Sequence, residues 1–100
     1  MNQLVLTACI IERAAMRYTP AGLPVVDVRL AHASTVLQDG QPRQISFEMH
    51  ASAVGALAGR LERLAVGSTV EVHGFLGKLR NGRGVLLHID QLVDSCNDSD

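Results

Sequence analysis

The sequence predicts an all-β domain with one short helix: a small five-stranded barrel whose helix falls between the third and fourth strands. Three observations predict it. Apolar residues recur with period two in five runs, three before residue 52 and two after residue 68, as strands require. The period lengthens only once, where Val54, Leu57, Leu61 and Leu64 fall three or four apart on one helical face. Asn81-Gly82 between the last two runs is a strong hairpin signal.

In the first run Leu4, Leu6, Ala8 and Ile10 alternate with Val5, Thr7, Cys9 and Ile11. Both sets are largely apolar, so this strand is expected to be covered on both sides. Tyr18-Thr19-Pro20-Ala21-Gly22 breaks the pattern as a turn. Pro24 opens the second strand, where a missing N–H matters least. There Val26, Val28 and Leu30 alternate with Asp27, Arg29 and Ala31, a half-buried pattern. After the polar turn at 38–42, Ile45, Phe47 and Met49 form the inward set of a third strand. The helix follows, with Ser52 as the expected N-cap and Gly67 past its C-terminus. Gly55 and Gly59 each cost about 1 kcal/mol against Ala in a helix, so packing must hold it. Thr69 to Arg80 and Arg83 to Leu92 make the final hairpin, with Val70, Val72 and Leu76 on one side and Glu71, His73 and Phe75 on the other.

The order β-β-β-α-β-β is that of the OB-fold, a small barrel whose closure removes sheet edges. An SH3-like barrel is the main competitor, but it does not normally carry a full helix after its third strand. The expected organisation is an OB-fold domain over 1–93 and a short acidic disordered tail over 94–100.

Composition fits one domain: 100 residues, 47% hydrophobic. The formal net charge is −1, which excludes a polybasic molecule. The charge is uneven, however. Three of the ten acidic residues, Asp94, Asp98 and Asp100, lie in the tail, so the body holds nine cations against seven anions. An anion site must therefore come from local clustering. No run is long enough for a membrane span and no signal-peptide pattern opens the chain, so a cytoplasmic protein without a membrane partner is expected. Cys9 and Cys96 are then expected to be a buried small hydrophobe and a free tail thiol.

The clustering is at the final hairpin. If Asn81-Gly82 is a two-residue loop, Arg80 and Arg83 sit opposite each other and Lys78 shares their face. Such a cluster repels itself by up to about 1 kcal/mol unless a polyanion lies against it. For an OB-fold the usual polyanion is a nucleic-acid backbone, bound by the barrel face and flanking loops. The first loop adds Arg13, Arg17 and Tyr18, with Arg17 suited to a phosphate and Tyr18 to stacking. Tyr18, Phe47 and Phe75 are the only aromatics, so charge should outweigh stacking. The outer face of the final hairpin carries Phe75, Leu79 and Leu86 with His73 and His88, and a second copy of the chain is expected to cover it.

NQLVLTACIIERAAMRYTPAGLPVVDVRLAH, RQISFEM, VGSTVEVHGFLG, KLRNGRG and VLLHIDQL, in this order, resemble the primosomal replication protein N family of bacterial restart primosomes. The resemblance covers nearly the whole chain. It implies an OB-fold homodimer without enzymatic activity that binds single-stranded DNA and assists a restart helicase and other primosome proteins. Lys78, Arg80 and Arg83 match the family's basic loop between strands four and five, and Arg17 its first-loop cation. The family's strand-three aromatic is Ser46 here, which implies weaker or more salt-sensitive DNA binding.

Three other readings are weighed. A general single-stranded DNA-binding protein would carry a long linker and an apolar acidic tip, which DSCNDSD lacks. An enzyme or metal site finds little support: His32, His50, His73 and His88 form no HxxxH pair on a helix, and there is no CxxC. No metal or other cofactor is expected. A protein-interaction barrel without DNA binding remains the third class.

Overall fold

The computed structural model describes residues 1–79 and 82–94. It contains strands β1 (Leu4–Arg13), β2 (Arg17–Tyr18), β3 (Pro24–Gln38), β4 (Gln41–Val54), β5 (Thr69–Lys78) and β6 (Val85–Asp94), with helix α1 (Ala56–Glu62) between β4 and β5. The sheet order is β1-β5-β6-β4-β3-β2, and a further pairing of β1 with β3 closes the barrel. The five long strands and the helix have the order read from the sequence. The sixth strand is a two-residue addition within the first loop.

Closure rests on β1, which pairs with two strands. Its first half, from Leu4 to Cys9, runs antiparallel to β5. Its second half, from Cys9 to Arg13, runs antiparallel to β3 across an irregularity between Ile10 and Glu12. Such a bulge sharpens local twist, which lets one strand bend from one neighbour to the next. The α1–β5 connection is stitched to the same place: Gly67 donates to the Ile10 carbonyl (2.7 Å) and Ile10 donates to the Ser68 carbonyl (2.9 Å). Ile10, Val26, Leu30, Val70, Val72 and Leu87 fill the interior, and Leu61 enters it from α1. Full burial of a side chain such as Leu61 contributes about 1.5–3 kcal/mol.

Several expectations change. Strand β1 is not covered on both sides, because Val5 is 55% exposed. The Ser52 cap is not found: Ser52 lies buried within β4, and the N-cap is Gly55. The reason is tertiary pairing. Strand β4 stays in register with β3 as far as Val25↔Val54, and the Gly55 amide then donates to the Pro24 carbonyl. Gly67 has φ of 100°, but four residues past the C-cap Arg63. Phe47 is not core but 41% exposed, because the β3–β4 hairpin runs on beyond the barrel wall after Ala31 and before Glu48. It packs instead against His32, ring centroids 5.1 Å apart. His73 and His88, both expected on the outer face of the final hairpin, do not lie opposite each other. The register running back from Lys78↔Val85 places Phe75 opposite His88, and a shift at His73/Gly74 places His73 opposite Gln91. Asp94 closes β6, and the remaining tail with Cys96 lies outside the described residues.

Candidate nucleic-acid interface

The first loop is held by local hydrogen bonds. β2 pairs Arg17 with Val25 and Tyr18 with Pro24. Thr19 donates its amide to the Leu23 carbonyl (2.9 Å), and its hydroxyl accepts the Leu23 amide (3.1 Å). Tyr18 therefore stands out from an ordered turn, 66% exposed. Arg17 reaches back across β3 to Asp27. Its Nε lies 2.8 Å from Oδ2, and a terminal nitrogen lies 3.3 Å from Oδ1. This fork matches two guanidinium donors to two carboxylate oxygens. The Asp27 hydrogen bond, then its charge, raise the Arg17 guanidinium above its already high ordinary pKa. Arg17 thus stays cationic at any working pH.

The final hairpin approaches this pair from the other side. Its ladder ends at Lys78↔Val85, so the connection is residues 79–84, longer than a two-residue Asn81-Gly82 loop. The register is nevertheless the one such a loop would impose, and the Leu79 amide points to the Gly84 carbonyl at 3.4 Å. Lys78 and Arg83 are exposed at this end, while Arg80 lies outside the described residues. Leu79 and Leu86 meet Arg17, Asp27, Val28, His50 and Ala51 around a recess of about 280 Å³. The parallel bridge His50↔Leu86 between β4 and β6 fixes its floor. Loop and hairpin thus bring Arg17 and the basic turn to one end of the barrel. Phe75 is on the same outward face as Leu86, stacked on His88 at 5.0 Å.

The sequence-predicted Arg13 does not join them. It donates to the Leu64 carbonyl just beyond α1, which is a structural tie. Arg29, on the outward face of β3, pairs with Glu12 at 2.5 Å and Glu48 at 3.7 Å. Ser46 is exposed and lines, with Phe47, His32, Thr7 and Cys9, a second cleft of about 590 Å³. His32 is pinned there between the Thr7 carbonyl (2.7 Å) and the Ser34 hydroxyl (2.8 Å). A carbonyl only accepts, so Nδ1 carries the proton. Sequence reading missed Asp27 as a partner of Arg17. Its one signal was an acid on the outward face of β3, ten residues after Arg17.

Fold and site together define an OB barrel of the single-strand binding protein class. The family described as "Another single-strand binding protein family" matches residues 2–91. The replication restart protein PriB of Bordetella pertussis is 41% identical over 92 residues, which are 91% of this chain and 86% of that protein. PriB of Nitrosomonas europaea is 37% identical over 89 residues, 88% of this chain and 82% of the relative. The solved structure of PriB from Ralstonia solanacearum superposes with a TM-score of 0.87 at 35% identity, covering 95% of this chain and 98% of the other. The chain belongs to the replication restart protein PriB family.

Proposed function

We propose that the chain acts in replication restart as a single-stranded DNA-binding protein and that its basic turn makes the main phosphate contacts. Family membership supports the role. The observation that supports the contact is that Leu79 of the final hairpin, next to Lys78, lines one open recess with Arg17, so the basic turn and the first loop lie at the same end of the barrel. Phosphates spaced along a flexible strand suit such a row of cations, and Tyr18 offers a stacking face beside it. The chain works by binding and has no catalytic step of its own. Its protein partners are a restart helicase and other primosome proteins, met in the cytoplasm.

Three phosphate contacts give log affinity a slope of about −2 against log salt, from −0.7 per contact on a single strand. Changing Lys78, Arg80 and Arg83 together to Ala should remove most of that slope and most of the affinity for a labelled oligonucleotide. Folding should be unaffected, since no core atom is lost. Equal affinity and equal slope in variant and wild type at two salt concentrations would leave the cations as guards against edge association only. The protein-interaction reading would then take over.

A further inference from the structure

We propose that Asp27 occupies, in the free protein, the place a DNA phosphate takes on Arg17, so that binding at the recess is an exchange of one anion for another. This rests on the single-stranded DNA reading above. A carboxylate and a phosphate present the same paired oxygens to a guanidinium fork. Arg17 already spends that fork on Asp27, at 2.8 and 3.3 Å. The pair is open to solvent on both sides, with side chains 45% and 38% exposed, so a strand can reach it. It also lines the recess that Leu79 and Leu86 of the final hairpin complete, where a strand following the basic turn would arrive. The neighbouring guanidinium shows the same arrangement, with Arg29 between Glu12 and Glu48. The outer barrel face is therefore lined by cations that acids of the same chain already hold.

The exchange has a measurable signature. When Arg17 turns to a phosphate, the released Asp27 carboxylate draws a solvent cation, which offsets one of the counterions that DNA binding releases. The contact then adds affinity without its full salt dependence. Asp27→Asn removes the competitor at constant volume. Affinity at low salt should rise about two- to fivefold, the worth of one exposed ion pair. The slope should steepen by about 0.7, one full phosphate contact. With Arg17→Ala in place, the same Asp27→Asn change should leave the slope where it was. A steepening of equal size in both backgrounds would mean that Asp27 merely repels DNA, and would overturn the exchange.

The Asp27 carboxyl carbon resonance tests the same step in the unaltered protein. On adding a saturating oligonucleotide it should move to the position it has in the Arg17→Ala variant. If the wild type binds and that resonance stays in place, Asp27 has kept Arg17 and the inference fails alone. A wild type that binds no oligonucleotide sinks the DNA reading and the exchange together.

Discussion

At Gly74 the strands of the final hairpin press together so closely that a Cβ would clash with the His88 carbonyl oxygen. Backbone cannot give way cheaply, and overpacked sites cost about 1–3 kcal/mol or more. Gly77, three residues on, differs in one respect. A Cβ there would stand 2.8 Å from His88 Nε2, the tip of a side chain that can turn aside. Gly74→Ala should therefore lower the urea midpoint well below that of Gly77→Ala. The cheaper change should instead displace His88 from its 5.0 Å stack on Phe75. Equal losses from the two variants, measured side by side, would mean that the ring is as immovable as the backbone. Phe47 makes a related point about reading single residues. Its alternation with Ile45 and Met49 was correct, but alternation says which face a side chain takes and not whether anything covers it. Where the β3–β4 hairpin outruns the barrel, the inward face becomes surface.

At the scale of elements, the helix was legible in existence and blurred at its start. Leu57 and Leu61 marked its buried face, and Leu61 is fully buried. Ser52 misled because hydroxyl capping is a local preference, whereas β4 is held through Val54 by pairing with β3. The chain then needs a sharp reversal, which Gly55 provides at φ 78°. Gly55 and Gly59 looked alike in sequence as weak helix residues and now separate. Gly59 lies within α1, and a Cβ there would meet only Arg63 at 3.9 Å. Gly59→Ala should stabilise the protein by about 1 kcal/mol through helix propensity. Gly55→Ala should cost about 1–2 kcal/mol, because an L side chain is strained at positive φ. Opposite shifts in melting temperature are the expected result, and shifts of one sign would refute this division. The basic turn was legible in the same partial way. Its residues and register were readable from Asn81-Gly82, but not the point where the ladder stops. The Arg17–Asp27 pair spans two elements, and nothing in its spacing announced the contact.

For the molecule as a whole, the outward face of β1, β5 and β6 is its least finished part. Val5, Phe75 and Val93 stand 55%, 43% and 42% exposed on it. The pairings Val5↔His73 and Glu71↔Val93 place Val5 and Val93 on the side that carries Phe75. Exposed apolar clusters of this kind mark association surfaces. The expectation of a homodimer rests on this face and on the family resemblance. Sedimentation at micromolar concentration should give twice the mass of one 10.7 kDa chain. Phe75→Glu should shift it toward the single chain, and a mass unchanged by that substitution would move the contact elsewhere. The barrel's closure by β1 has a consequence in time. During synthesis the ribosome delivers β1 first, and its two partners arrive far apart. Strand β3 begins at Pro24, but β5 begins only at Thr69. The β3–β4 hairpin, with its short Asp39-Gly40 connection, can zip locally long before that, while half of β1 waits with Leu4 and Leu6 unclaimed. Loop-closure entropy makes such distant pairing the slow step. Of the barrel strands, the first to be made is thus the last to be fully paired, and the nascent barrel is most prone to sticking along β1.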